Sequence, residues 1–218
     1  MTSQQDVLDT LAQVARAVGN GHRLALLERL AQMDAPVESL ASKTNLTVGN
    51  ASQHLQHLRR AGLVTASRSG TQMIYRLTDE RIVTLMSLLR QVAETNLAEM
   101  ERLVSQLFAD DDAGGAMKAV SRQELLAGLE RGEVVLLDVR PEEEYAAGHL
   151  PEALNIPLAS LESMLDQLPR DREIVAYCRG PYCALSHEAV MWLRERGFQV
   201  RRFAEGFPEW KAAGLPLG

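Results

Sequence analysis

At 218 residues, with a formal net charge of −6, 46% hydrophobic residues and two cysteines, the chain has the length for one or two modest cores and the composition of a soluble protein. Its opening MTSQQDVLDT has no basic n-region and no apolar h-region, and no apolar run approaches the ~18 residues of a membrane helix. These features predict neither a secretory leader nor a membrane span, and a cytoplasmic location. The charge is uneven: residues 1–100 hold ten Lys/Arg against nine Asp/Glu, and residues 101–218 hold thirteen against twenty. Between Ser39 and Thr78 there is no carboxylate, while Lys43, Arg59, Arg60, Arg68 and Arg76 all fall there. Such a window predicts a surface that faces a polyanion.

In chain order, Val7, Leu8, Leu11, Val14 and Val18 recur at helical spacing, and Leu24, Leu27 and Leu30 do so again after Gly19-Asn20-Gly21. Pro36 opens a short helix to about Thr44, and Asn45-Leu46 makes a turn. Thr47 suits the N-cap of a helix that runs to Arg60 and stops at Gly62. Its inward stripe is Val48, Ala51, Leu55 and Leu58, which leaves Asn50, Gln53, His54, His57 and Arg60 facing outward. Leu63 to Ala66 and Met73 to Leu77 read as strands around the basic tip Ser67-Arg68-Ser69-Gly70-Thr71. Asp79 to Phe108 reads as one long helix with an apolar seam, which predicts pairing with a second copy of the chain.

Two helices joined by a short turn, a polar face on the second and a basic hairpin beyond it predict a mainly α winged helix-turn-helix with a long dimerisation helix. A helix fits the major groove of double-stranded DNA, Asn and Gln read adenine, and arginines hold phosphates. The predicted DNA-contacting residues are Asn50, Ser52, Gln53, His54, His57, Arg60, Arg68 and Gln72. His54 and His57 stand at an i,i+3 spacing that a metal could use, but the reading assigns them to DNA, with no metal and no cofactor expected.

Residues 109–118, with Asp110-Asp111-Asp112 followed by glycines, predict a linker between a first domain of residues 1–108 and a second of 119–218. Beyond it, Ser121-Arg122-Gln123-Glu124 is a capping box. Val134 to Asp138, Asn155 to Pro157, Ile174 to Tyr177 and Val200 to Phe203 read as extended. Glu142 to Ala147, Leu161 to Leu168, Ala184 to Arg196 and a short segment near Pro208 read as helical. Alternation of this kind predicts an α/β domain with a parallel sheet.

Both cysteines lie in Cys178-Arg179-Gly180-Pro181-Tyr182-Cys183, at the end of the Ile174–Tyr177 strand. Loop N–H groups and the N-terminus of the following helix favour a negative sulfur, and Arg179 adds its charge beside it. Cys178 is therefore the predicted nucleophile. Six residues after it stands Ala184, not the arginine that a Cys-x5-Arg phosphate site requires.

Two resemblances are specific. Ala51-Ser52-Gln53-His54-Leu55, Leu58-Arg59-Arg60-Ala61-Gly62-Leu63-Val64 and Ile74-Tyr75-Arg76-Leu77 resemble the ArsR/SmtB repressors over roughly residues 10–105. That resemblance implies a homodimer on a palindromic operator. The metal-sensing members carry cysteines before the recognition helix or histidines on the final helix, and this chain has neither. Leu136 to Arg140, Gly148-His149-Leu150-Pro151, Ala153 to Pro157 and Glu205-Gly206-Phe207-Pro208-Glu209-Trp210 resemble a single-domain rhodanese over residues 120–215. This implies a Cys178 persulfide formed from a sulfane-sulfur donor (polysulfide, persulfide or thiosulfate), with Asp138 and Arg140 as structural supports. Many rhodaneses have a basic or hydroxyl residue where this chain has Cys183. Cys183 either resolves the persulfide or caps the helix as a small apolar residue.

The resulting expectation is a sulfur-responsive, homodimeric DNA-binding repressor. The alternative is a rhodanese-type sulfurtransferase that uses the helical half as a tether or dimeriser.

Overall fold

A computed structural model describes residues 2–108 and 119–218. The predicted linker, 109–118, lies outside the described residues. The chain forms two compact units, Met1–Met86 and Ser87–Gly218.

The first unit begins with α1 (Gln4–Val18), opened by a Ser3–Asp6 capping box, and α2 (Gly21–Leu30), capped by the Asn20 side chain. Then come β1 (Ala35–Pro36), α3 (Val37–Lys43), α4 (Val48–Arg60), β2 (Val64–Ser69) and β3 (Gln72–Leu77). The sheet is antiparallel in the order β1-β3-β2. Pairing runs from Val64↔Leu77 out to Ser69↔Gln72, so the wing tip tightens to Gly70-Thr71, with Gly70 at φ 58°. The strands reach further than their apolar pattern because ladder hydrogen bonds come from the backbone and do not need apolar side chains. Leu26, Leu27, Leu40, Leu55, Leu58 and Tyr75 fill the core. On α1 only Ala17 and Val18 are buried, and Val7, Leu8 and Leu11 are exposed.

The predicted single helix from Asp79 to Phe108 is two helices, α5 (Arg81–Asn96) and α6 (Ala98–Leu107). Leu97 between them is extended at φ −114° and ψ 105°. The cause is local: Thr95 Oγ1 donates to Gln91 O at 2.8 Å and Asn96 Nδ2 to Val92 O at 2.8 Å. Two successive side chains thus compete for the helix's own carbonyls and favour a bend there. Helix α5 starts in the first unit, where Ile82 joins the core, and continues past Met86.

The second unit adds α7 (Arg122–Glu130), β4 (Val134–Asp138), α8 (Glu142–Ala146), β5 (Leu154–Asn155), β6 (Glu173–Tyr177), α9 (Ala184–Arg194), β7 (Val200–Arg202) and α10 (Phe207–Ala212). Its sheet is parallel in the order β5-β4-β6-β7, extended by a Val120↔Phe203 bridge. Strands β4 and β6 are central and carry Leu136, Leu137, Ile174, Val175 and Ala176, all buried, as expected for a sheet covered on both faces. The predicted helix from Leu161 to Leu168 is absent. Single helical turns at Leu158–Ser160 and Leu165–Gln167 replace it. Pro169 favours the extended Leu168 (φ −88°, ψ 132°), which ends the segment there, and the bonds Ser160 N to Pro157 O at 2.8 Å and Leu168 N to Leu165 O at 3.1 Å close the tighter three-residue turns.

Candidate functional site

The polar face of the first unit is set by α4. Thr47 Oγ1 accepts from Asn50 N at 3.2 Å, which fixes the helix start. Gly62, at φ +74°, turns the chain out of it toward the wing. Ala51, Leu55 and Leu58 are buried, but Val48 is 47% exposed and does not belong to the inward stripe. Periodicity assigns Val48 a face, yet it is the first helical residue and lies beyond the packed layer. Asn50, Gln53, His57 and Arg60 are exposed, as are Arg68 and Gln72 on the wing, while Ser52 and His54 are half-buried.

His54 faces α2, with its ring 5.5 Å from that of His22. Burial, then the neighbouring His22, Arg23 and His57, hold its pKa below the ordinary histidine value. Beside it a cleft of about 270 Å³ is lined by Gln13, Arg16, Arg23, His57 and Arg60. Arg23 is fixed there by donating Nε to Ala17 O at 2.5 Å and Nη2 to Arg16 O at 2.8 Å. Three arginines and no lining carboxylate make this cleft suited to an anion. On the wing, Arg68 Nε folds back to Gly70 O at 3.1 Å. Arg76 meets Asp34 at 3.6 Å, an acid from outside the carboxylate-free window.

In the second unit, Cys178 stands at the carboxyl end of β6 and is 1% exposed. Its sulfur is bonded to that of Cys183, with the Cα atoms 6.2 Å apart. Cys183 is also the N-cap residue of α9. The loop between them is held from several sides. Cys183 N donates to Gly180 O at 3.2 Å, Phe207 N to Cys178 O at 3.1 Å, and Arg202 Nη1 to Pro181 O at 2.7 Å. Beneath it lies Gly206, where an added Cβ would sit 2.4 Å from Gly180 N. Only glycine fits so close a backbone approach.

The supporting charges are paired. Arg140 and Asp138 are wholly buried, with Arg140 Nη2 donating to Asp138 Oδ2 at 2.6 Å and to Gly148 O at 2.8 Å. Burial works to discharge Arg140, but the hydrogen bonds and charge of Asp138 outweigh it and raise its pKa. Burial, followed by Asp138, pushes the Tyr177 phenol up, so its neutral hydroxyl accepts from Leu150 N at 3.1 Å. Arg179, expected to assist the thiolate, is engaged instead by Glu144, with Nε 2.8 Å from Oε2 and Nη2 2.8 Å from Oε1. A carboxylate that takes up this charge weakens Arg179 as a source of thiolate stabilisation. The Tyr182 phenol donates to Glu94 of α5.

Comparison with known proteins agrees with both halves. Residues 20–66 match the bacterial regulatory protein, arsR family, and residues 121–213 match the rhodanese-like domain. Over 221 aligned residues the chain is 44% identical to the HTH-type transcriptional regulator Rv0324 of Mycobacterium tuberculosis, covering 100% of this chain and 96% of that one. The chain belongs to the ArsR family of regulators and carries a rhodanese-like domain.

The rhodanese-like half of this ArsR-family regulator is 34% identical over 86 residues to a sulfurtransferase of Allochromatium vinosum, covering 39% of this chain and 78% of that one. A winged helix-turn-helix fragment from Mycobacterium bovis, described as homodimeric, is 38% identical with a TM-score of 0.41, covering 45% of this chain and 95% of that one. Among the described residues no group of three or more His, Cys, Asp and Glu side chains could hold a metal ion, and no helix is long and apolar enough to cross a membrane. Sequence reading missed Glu144, Arg202 and Glu94 as neighbours of the cysteine loop. They lie 35, 21 and 88 residues from their loop partners, and no local pattern marks such contacts.

Proposed function

We propose that this ArsR-family regulator binds double-stranded operator DNA as a homodimer and leaves it when sulfane sulfur modifies the Cys178–Cys183 loop. The exposed α4 face, the wing and the arginine-lined cleft support contact with bases and phosphates. Exposed Val7, Leu8 and Leu11 on α1 and Leu88, Leu89 and Val92 on α5 support burial against a second copy. Two such copies would read half-sites about one helical turn apart.

In the chemistry proposed, the Cys178 thiolate attacks the outer sulfur of a persulfide RSSH. The donor's S–S bond breaks, RSH leaves, and Cys178 carries the sulfur as a persulfide. The Cys183 thiolate then attacks the Cys178 sulfur and expels hydrogen sulfide. One donor and two protein thiols thus give one disulfide, RSH and hydrogen sulfide, and a cellular thiol pair reverses the protein oxidation. The observation that carries this reading is the pairing of the two cysteines at the end of β6. Turnover needs one sulfur carrier, whereas a stored signal is served by two.

The test is binding of reduced full-length protein to DNA from its own upstream region, before and after polysulfide. Salt-sensitive binding that is lost on treatment, restored by reductant and insensitive to polysulfide in Cys178→Ser is expected. Binding indifferent to sulfur, together with catalytic turnover of thiosulfate, would replace this reading by a sulfurtransferase.

A further inference from the structure

We propose that Arg90 and Glu94 of α5 are positioning residues through which the state of the Cys178–Cys183 loop is passed to the helix continuous with the DNA-binding unit. This rests on the sulfur-responsive reading above and supplies its missing link, because it runs through folded contacts within the second unit rather than through residues 109–118.

Pro181 and Tyr182 of the loop each have a partner that leads to residues 90–108. The Tyr182 hydroxyl donates to the Glu94 carboxylate, and the Arg90 guanidinium lies 5.9 Å from the Tyr182 ring centroid. Arg90 Nη1 also donates to Glu209 Oε1 at 3.2 Å, with the two side chains only 19% and 11% exposed. That is too enclosed to be a freely solvated surface pair. The other oxygen of Glu209 accepts from Gly206 N at 3.1 Å, and both oxygens lie 3.8–3.9 Å from the position of a Cβ on Gly180. Pro181 is reached through Arg202, which donates to its carbonyl while its guanidinium sits 4.5 Å from the Phe108 ring centroid. Phe108 also meets His187 of α9 edge-on at 5.4 Å.

The loop has two shapes. Joined sulfurs stand about 2 Å apart, whereas two thiols, or a thiol beside a persulfide, must separate to nonbonded contact, about 3.5–4 Å. Tyr182 immediately precedes Cys183, so its phenol shifts with that change. The Tyr182–Glu94 hydrogen bond is directional, so its geometry depends on where Tyr182 stands. In the relay proposed, the contact present with the sulfurs joined is altered when they part. At the other end of α5, Ile82 belongs to the core of the first unit. Helix α5 is continuous in sequence from Ile82 to Glu94 and ends before Leu97.

The experiment is hydrogen exchange on the full chain in its reduced and disulfide forms, with operator affinity measured alongside. In the parent, amides of residues 87–96 should exchange at clearly different rates in the two forms. In Glu94→Ala and Arg90→Ala that difference should vanish, while Glu94→Gln, which keeps an acceptor, should retain most of it. The operator response, of the order of 5- to 150-fold for a typical coupling, should collapse toward none in the Ala variants, although mass spectrometry finds the same disulfide formed. Linkage also requires operator DNA to shift the thiol–disulfide equilibrium by the same factor. Equal exchange of residues 87–96 in both parent forms overturns the proposal even if DNA binding responds to sulfur. Unequal exchange with sulfur-indifferent DNA binding leaves the contact standing and removes the sensor reading. The parent comparison decides even if an Ala variant fails to fold.

Discussion

Replacing Gly206 with alanine should damage the sulfur loop without touching either cysteine. The backbone there, at φ −134° and ψ −173°, is extended and open to any residue, so the penalty is steric alone. The new Cβ would lie 2.4 Å from Gly180 N and 2.6 Å from both Arg179 C and Gly180 Cα, all of them backbone atoms. To reach ordinary contact the two segments must part by about 1 Å. The bond that resists this is Phe207 N to Cys178 O at 3.1 Å, which ties the two segments together. Overpacking of this kind costs about 1–3 kcal/mol, and with no flexible side chain to yield, Gly206→Ala belongs near the upper end. Urea unfolding of the full chain measures the loss, and the alkylation rate of reduced Cys178 measures loop distortion. A variant within about 0.5 kcal/mol of the parent, with an unchanged alkylation rate, would refute the close-approach argument.

Asp138→Ala leaves the buried Arg140 cation uncompensated and should destabilise the chain by about 3–5 kcal/mol, read as a lower urea midpoint; a loss under about 1 kcal/mol would mean that water reaches the pair. Thr47→Ala removes the cap on Asn50 N and should cost about 1 kcal/mol together with operator affinity, and unchanged DNA binding would detach the start of α4 from recognition. Because burial and neighbouring cations hold the His54 pKa below 6.5, the unfolded chain takes up this proton first as pH falls. Stability from this group is therefore full above the unfolded value and declines as pH drops from about 6.5 toward the folded pKa. His54→Asn should flatten the fall in melting temperature between about pH 7 and pH 5.5, and an unaltered slope would assign the dependence elsewhere.

Much of the architecture was legible because its causes are local. The Thr47 cap, the Ser121–Glu124 capping box, the φ > 0 glycine after α4 and the apolar runs of β4 and β6 all depend on residues a few positions apart. The same holds for the cysteine loop and for the Asp138–Arg140 pair, two residues apart. Two elements were misread although their cause was also local. The seam through Leu97 continued at helical spacing while Thr95 and Asn96 were turning their side chains onto the backbone. Leu168, just ahead of Pro169, likewise leaves the helical region where the leucines suggested a helix to its end. The surroundings of the loop had no signature along the chain. Arg179 could be placed beside Cys178, but its capture by Glu144 depends on how α8 packs against the strand ends. Val48 and His54 could be assigned a helical face, but not what lies opposite it. Glu94 and Arg90 are ordinary charged residues on an amphipathic helix until folding brings Tyr182 and Glu209 to them across 88 and 119 residues. Spacing encodes which side of an element is apolar; which distant charge a side chain meets is settled by packing, where desolvation leaves each buried ion dependent on the one partner within reach.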